Sequence, residues 1–426
     1  MRVLWFTNIM LPEYARALGR TEYNTGGWLT GLVDAIRQHA PEIELTVVPL
    51  QCIAEPREIN GVRYRTMVPL KGMLYNPSNR KEFIVSMRQC IEEVNPDIIH
   101  FHGTEYCLQE YYREMNLCYR TVTSIQGILS GILAHSTGGL NSYQVNRERI
   151  FIDKVFRRWS IDDAVRDYTK RAKVELNILK RGGNFMGRTD WDRKWITATN
   201  SASRYYHVGE VLRPEFYQQR YRNLDSVVSH RIYCGAAFGS MLKGGHVLIE
   251  AIAMLKDKYP DIKVCIANAS SYTQQSLRHY VRMGYHERYM RAKISKLGVW
   301  QQLEFLPSLT AAQVVDQLQM AELFVLPSCI ENSPNSLGEA MLLRTPVIAT
   351  DVGGVSSMMP GDCGALVHGG DPAELACAID TAFSDSKAAK DKAESAYLSA
   401  VERFDIKKIV GALKNAYEQI VRQENV

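Results

Sequence analysis

The sequence has no uninterrupted apolar stretch of about 18 residues, so no segment has the length of a membrane-crossing helix. It also lacks a cysteine pattern. The nine cysteines are scattered from Cys52 to Cys377 and none stand at Cys-x-x-Cys spacing, which argues against a disulfide framework and a zinc site. Strong charge of one sign is missing as well, since a net +5 over 426 residues does not by itself call for nucleic acid, and none is expected as a partner. The opening apolar segment Arg2 to Phe6 is too short for a signal peptide and reads as a first strand, so a cytoplasmic location is expected. What remains is 46% hydrophobic and 23% charged, the composition of a globular protein, with length enough for two ordinary domains.

The chemistry-bearing stretch runs from Leu323 to Gly354. An apolar run, Leu323 to Leu326, ends at Pro327 and Ser328 and reads as a buried strand. Ser336 with Glu339 three residues on reads as a capping box opening a helix, and Val347 to Ala349 reads as the next strand. Strand, polar loop, helix and strand make one βαβ unit of a parallel sheet. A helix N-terminus offers unpaired N–H groups and the positive end of the helix dipole, which suits a phosphate. Ser333, Asn335 and Ser336 add short polar side chains, while Pro334 removes one donor but stiffens the turn. Glu331 and Glu339 cannot favour the phosphate itself and are better explained as acceptors for hydroxyl groups, as on a ribose and a hexose. The plainer alternative makes Glu339 a cap and Glu331 a solvated loop residue.

The run Glu331-Asn332-Ser333-Pro334-Asn335, then Glu339-Ala340, then Pro346-Val347-Ile348-Ala349-Thr350 and Gly353-Gly354 resembles the donor site of glycosyltransferase family 4. The resemblance implies a GT-B fold, two Rossmann-like α/β domains facing across a cleft. It also implies that Glu331 contacts the transferred sugar, Glu339 holds the nucleotide ribose, and the segment Ser333, Pro334, Asn335, Ser336 and Leu337 takes the diphosphate. Gly26 and Gly27, after the first strand, would face donor phosphate or acceptor. Lys243, after a glycine-rich loop at a helix start, would meet a phosphate. The family usually has an arginine shortly before that lysine, where this chain has Ala236, Ala237 and Phe238. Ser308, in Pro307-Ser308-Leu309, stands where the family seats its base. Gln126 stands where the family commonly has a His under the transferred sugar, and glutamine can position but not transfer a proton near neutral pH.

Elsewhere, Asp97 to Phe101 reads as an apolar strand running into His102 and Gly103, at a sheet edge where open α/β folds bind ligands, though a single His there is commonly structural. The Asp-x-Asp of Asp190 and Asp192 has a metal-binding spacing in another glycosyltransferase architecture, but Thr189 or Asp190 as a helix cap is the simpler reading. Between Arg147 and Arg181 there are eleven Lys or Arg against six Asp or Glu, an excess as large as the whole chain's. Helical spacing puts Phe151, Val155 and Trp159 on one face, which either buries in its own domain or lies on an anionic membrane carrying the acceptor. The expected domains are 1–214 for the acceptor, a linker 215–230, 231–404 for the donor, and a helix 405–426 returning to the first domain.

The implied reaction is retaining transfer of a hexose from a nucleoside diphosphate sugar to a hydroxyl of a glycan or lipid-linked glycan, in surface polysaccharide or lipopolysaccharide type assembly, with no cofactor and no metal required. That places the enzyme in the cytoplasm, at the inner face of the cell membrane if the acceptor is lipid-linked. A nucleotide-sugar epimerase of the same fold and a non-catalytic nucleotide-sugar binding protein stay open as alternatives.

Overall fold

The computed structural model describes every residue except 21–26, 51–54, 74–75, 157–158, 219–220, 236, 275 and 424–426. The chain forms two compact units, one from Met1–Ser130, Lys170–Arg213 and Phe404–Val426, the other from Gly131–Thr169 and Pro214–Arg403.

The first unit is built on an eight-stranded sheet in the order Arg204–His207, Asn184–Gly187, Arg120–Ser124, Ile98–His102, Arg2–Thr7, Glu44–Pro49, Val62–Tyr64, Arg57–Ile59. All pairings are parallel except the last, at the edge. Parallel strands covered on both faces must be apolar throughout, and Val3 to Phe6 and Ile98 to Phe101 are all buried. The last helix, Ile406–Val421, belongs to this unit. Its Ile409, Leu413, Tyr417 and Ile420, at helical spacing, join the core formed by Val3, Trp5 and the helix Gly27–His39. Tyr417 fixes the contact by accepting a hydrogen bond from Trp5 Nε1 at 2.9 Å and meeting His100 Nδ1 at 2.6 Å.

The second unit has six strands, all parallel, in the order Leu303–Phe305, Lys263–Ile266, Val228–Tyr233, Ala321–Leu326, Val347–Thr350, Ala365–Val367. Numbered within the unit, that order is three, two, one, four, five, six, the dinucleotide-binding arrangement in which the strand order reverses between strands one and four. Ligands of such sheets bind past the carboxyl ends of those two strands.

Three expectations need correction. The segment 131–169 was assigned to the first domain but belongs to the second unit, because Val145 and Ile161 are buried in that unit's core and a buried ion pair joins Asp153 to Arg288. The stretch 215–230 is more than a linker: Phe216 is buried and the first strand of the sheet already starts at Val228. The helical face of Phe151, Val155 and Trp159 is not buried. The helix is only Phe151–Val155, so Trp159 lies beyond it, and all three side chains are exposed.

Candidate functional site

The second unit's two switch-point strands each run into a loop and a helix start, and their loops lock together. After Val228–Tyr233 the chain passes Gly235 and makes a short turn of 3-10 helix, Met241–Lys243, before the helix Gly245–Leu255. After Ala321–Leu326 it passes Pro327 to Pro334 and enters the helix Asn335–Leu342. The Cys329 N–H donates to the Leu242 carbonyl at 2.7 Å. Gly244, at φ +68°, lies so close to this loop that a Cβ would stand 1.8 Å from the Pro327 carbonyl oxygen. Only glycine satisfies both the backbone angle and the contact.

This docking brings Lys243 to Glu331. Lys243 Nζ donates to Glu331 Oε1 at 2.6 Å, and Ser328 Oγ donates to the same oxygen at 2.8 Å. The glutamate is largely enclosed while the lysine is nearly half exposed, so the ammonium end of the pair is the one that faces solvent. The Glu331 backbone is held too: the Gly354 N–H donates to its carbonyl at 3.0 Å, and Gly353, at φ +56°, would place a Cβ 1.9 Å from that carbonyl. The two glycines after the strand Val347–Thr350 therefore form the wall on which the glutamate's loop rests. Cys329 is no nucleophile here, because burial, with Glu331 nearby, pushes its thiol up to about 11.

The helix Asn335–Leu342 does not begin with the expected capping box. Its N-cap is Pro334, at φ −72° and ψ 110°, with no side-chain cap bond. Proline presets the extended entry and has no N–H for Glu339 to receive, so the helix starts one residue before Ser336 and Glu339 falls in its second turn. Glu339 is 5% exposed, inside the unit rather than at the helix mouth. Leu337 is buried beneath that mouth, and its N–H returns to the Pro334 carbonyl at 3.0 Å. The first amides of the helix, at Asn335 and Ser336, have no intrahelical acceptor by geometry. Asn335 Oδ1 is buried there without a hydrogen-bond partner among the described residues. Ser333 Oγ lies 3.7 Å from Met358 Sδ. Ser308 is exposed in the loop after Leu303–Phe305, whose Pro307 carbonyl accepts from the Asn268 N–H at 3.1 Å. Lys243, Glu331 and the mouth at Asn335 thus converge on one sheet edge, with an exposed cation, an acceptor carboxylate and free amide donors.

Gln126 and Gly27 lie in the first unit, and Gly26 is outside the described residues. Gln126 Oε1 accepts from Asn8 Nδ2 at 3.3 Å, joining the ends of two strands. Gly27 opens its helix, where a Cβ would meet the Arg213 side chain at 2.9 Å.

His102 is the residue that sequence reasoning left as structural. It is buried at the carboxyl end of its strand, stacked on His100 at 3.9 Å and flanked by Trp5 at 4.4 Å and Trp28 at 5.8 Å. Neither of its ring nitrogens has a hydrogen-bond partner among the described residues, and neither does the nearby Glu105 Oε2. Burial, with His100 and Arg188 close by, holds His102 well below its usual value, so it is a neutral ring able to donate and accept. Arg188 pairs with Glu210 and stacks over Trp28 at 4.9 Å. The clue in the sequence was His-Gly directly after an apolar strand. Asp192 closes a capping box with Thr189 and also accepts from the Tyr205 hydroxyl at 2.7 Å, while Asp190 pairs with Arg193. These are the duties of a helix start.

Residues 232–399 match the family model described as glycosyl transferases group 1. A D-inositol 3-phosphate glycosyltransferase from Corynebacterium urealyticum is 30% identical over 145 residues, 34% of this chain and 32% of that protein, so the match spans about a third of the relative's length. Over the full chain the fold resembles sucrose-phosphate synthase from Thermosynechococcus elongatus, with a TM-score of 0.72, 14% identity and 99% of each chain covered. It also resembles Anabaena HepE in complex with UDP-glucose, with a TM-score of 0.63, 16% identity, and 99% and 100% of the two chains covered. At such identity these two structures speak for the fold. The similarity to glycosyl transferases group 1 is therefore confined to residues 232–399, in a chain of GT-B fold.

Proposed function

We propose that this protein is a retaining glycosyltransferase that moves a hexose from a nucleoside diphosphate sugar to a hydroxyl of a glycan or lipid-linked glycan. The observation that carries the reading is the Lys243–Glu331 pair at the switch point of the group 1 domain, beside a helix mouth whose first amides are free. A diphosphate offered to this edge meets Lys243 and the amides of Asn335 and Ser336, and its arrival draws the ammonium away from Glu331. The freed carboxylate is then an acceptor for sugar hydroxyls. Glu339 is assigned to the ribose and Ser308 to the base. That a related fold is known in complex with UDP-glucose supports a nucleotide sugar as donor.

In the reaction the bond between the anomeric carbon and the diphosphate oxygen breaks and a bond from that carbon to the acceptor oxygen forms on the same face. The acceptor proton passes to the departing phosphate oxygen, which leaves as the nucleoside diphosphate. Charge grows on that oxygen as the bond opens, and Lys243 with the helix mouth stabilises it. These groups meet the charge that a metal meets elsewhere, so the reading needs no metal. On the first unit, His102, Glu105 and Gln126 offer hydrogen bonds to a polyol, the acceptor among the candidates. A lipid-linked acceptor would put the enzyme at the inner face of the cell membrane.

Incubation with a panel of nucleotide sugars and acceptor glycans, followed by mass spectrometry, tests the reading. A product heavier by one hexose, with the anomeric configuration of the donor by NMR and undiminished by EDTA, is the expected result. Isomerised nucleotide sugar without an acceptor adduct would instead establish the epimerase. Activity lost to EDTA and restored by manganese would overturn the metal-free mechanism.

A further inference from the structure

The short turn that carries Lys243 is held at both of its ends by backbone from elsewhere in the second unit. Just past its last residue, Gly244 rests against the Pro327 carbonyl. At its first residue, the Met241 carbonyl lies against Gly138, where a Cβ would stand 2.6 Å from the carbonyl oxygen. Gly138 is at φ +63°, so glycine answers both the backbone angle and the close approach. A side chain ties the same two stretches together. His246, in the first turn of the helix Gly245–Leu255, is 3% exposed, and its Nε2 meets the Gly138 carbonyl at 2.9 Å. Burial lowers the imidazole to about 4, so the ring is neutral near pH 7. A carbonyl only accepts, which places the single ring proton on Nε2 and leaves Nδ1 bare. Nδ1 is buried without a hydrogen-bond partner among the described residues. Such an atom costs stability, and packing alone would favour an apolar side chain at this position. The imidazole is explained by its bond to Gly138.

Gly138 is itself firmly placed. It belongs to the segment Gly131–Thr169, whose Val145 and Ile161 are buried in the unit's core and whose Asp153 pairs with the buried Arg288. Arg288 Nη2 also donates to the Tyr280 and Val281 carbonyls, each at 3.1 Å. Closer by, the Gly138 N–H donates to the His135 carbonyl at 2.8 Å. The turn is committed as well, since the Cys329 N–H holds the Leu242 carbonyl at 2.7 Å and the Lys243 N–H donates to the Ser240 carbonyl at 3.1 Å. A shift at Gly138 or His246 is therefore passed to the backbone from which Lys243 reaches Glu331.

We propose that Gly138 and His246 are positioning residues for Lys243, and that through it they set the preference of this sheet edge for a nucleoside diphosphate over a monophosphate. The inference rests on the reading of Lys243 as the cation that meets the donor diphosphate, and it adds what holds that cation in place. In that reading Lys243 meets the phosphate oxygen that leaves the sugar. This oxygen belongs to the second phosphate, which a monophosphate lacks. Such contacts depend steeply on geometry, a misplacement of about 1 Å costing as much as about a hundredfold.

Calorimetric titration of the full chain tests this. UDP, GDP, ADP, CDP and dTDP are tried on the parent, and the tightest of them is compared with its own monophosphate. The parent should prefer the diphosphate. In His246→Leu, which removes the donor but stays apolar and buried, and in Gly138→Ala, that preference should shrink by about fivefold or more, with monophosphate affinity held within about twofold. His246→Gln, which still offers an N–H to the carbonyl, should recover most of the preference. Because both residues act through Lys243, His246→Leu in a Lys243→Ala background should lose little beyond Lys243→Ala alone. The two His246 variants keep the question answerable should a Cβ at position 138 prevent folding. An unchanged diphosphate preference in folded His246→Leu would overturn the proposal. So would equal losses for both nucleotides, which mark a merely structural role, or losses that add to that of Lys243→Ala. A parent that binds none of the diphosphates would sink the donor site and this inference with it. A parent that prefers the diphosphate beside variants that keep the preference would sink the positioning role alone.

Discussion

Both units carry polar groups at the carboxyl ends of parallel strands, yet they handle them in opposite ways. The second unit brings a cation to the surface and backs it with a carboxylate, to which the cation and a serine both donate. In the first unit a neutral histidine is enclosed among Trp5, Trp28 and His100, with both ring nitrogens unanswered among the described residues. An ion pair whose ammonium faces solvent can hand that ammonium over to a charged ligand. A buried polar atom without a partner is expensive, and its retention suits an uncharged ligand rich in hydroxyls. The difference teaches that a charged ligand and an uncharged, hydroxyl-rich one call for different surroundings, and each unit by itself is suited to one of them.

The first unit's tolerance for buried polar groups is most sharply tested at Glu175. This residue is fully buried, accepts from Thr104 Oγ1 at 2.6 Å and from the Ser130 N–H at 3.0 Å, and is pushed up by burial to about 7. Between its ordinary value of 4.5 and about 7 the folded chain keeps a proton that the unfolded chain has released. The stabilisation is therefore complete below the lower value and is lost as pH rises through this window, by about 3 kcal/mol at 1.36 kcal/mol per unit. Urea unfolding at pH 5 and pH 8 should show that loss in the parent chain and little of it in Glu175→Gln. An identical slope in both would place the pH dependence elsewhere and weaken the contrast between the units.

Lys243 is the corresponding test on the second unit. If Lys243 meets the leaving diphosphate as proposed, Lys243→Ala should remove a charge-assisted contact of about 1.5 to 3 kcal/mol, or roughly 10- to 150-fold in kcat/KM. Folding should hardly change, because the ammonium is nearly half exposed. Steady-state transfer rates decide the matter, and unchanged rates would move the phosphate site away from this edge.

The second unit was far more legible than the first, for physical reasons. Its loop and helix lie together in sequence, so Glu331, Asn335 and Glu339 could be read within one βαβ pattern. The closing helix, expected within 405–426, is observed at Ile406–Val421. What misled was local chemistry with a competing solution. The Ser336 and Glu339 spacing suggested a box, but Pro334 opened the helix earlier. The cage around His102 could not be read at all, since Trp5, Trp28 and His100 come from separate elements and only the sheet order brings them together. In the same way the burial of Asp153 depends on Arg288, 135 positions away, and no periodicity in 147–181 could announce it.

His102→Phe sharpens the comparison from the first unit's side. Replacing a buried imidazole that has no hydrogen-bond partner among the described residues by an apolar ring should leave stability unchanged or slightly higher. If the nitrogens serve a hydroxyl-bearing ligand, transfer should still fall by about 1 to 2 kcal/mol, roughly 5- to 30-fold. Full activity in a folded His102→Phe protein would return the histidine to a packing role, and the polyol side of the contrast would go with it.

The smallest effect is expected at Glu339, a buried carboxylate in the same unit as the solvent-facing Lys243. The observed helix start already excludes a capping duty, because Pro334 is the N-cap and no side chain caps it. The proposed duty of the carboxylate is to accept hydrogen bonds from the hydroxyls of a ribose. A charged acceptor holds a hydroxyl about twice as strongly as a neutral amide, so Glu339→Gln should weaken nucleotide binding by about 1 kcal/mol, roughly fivefold. The melting temperature should stay within the small range of an isosteric change, as volume and shape are kept. Calorimetric titration with nucleoside diphosphates, beside a thermal melt, separates the outcomes. Undiminished affinity together with a lowered melting temperature would make Glu339 a purely internal carboxylate, and the ribose would have to be held from another part of the same sheet edge.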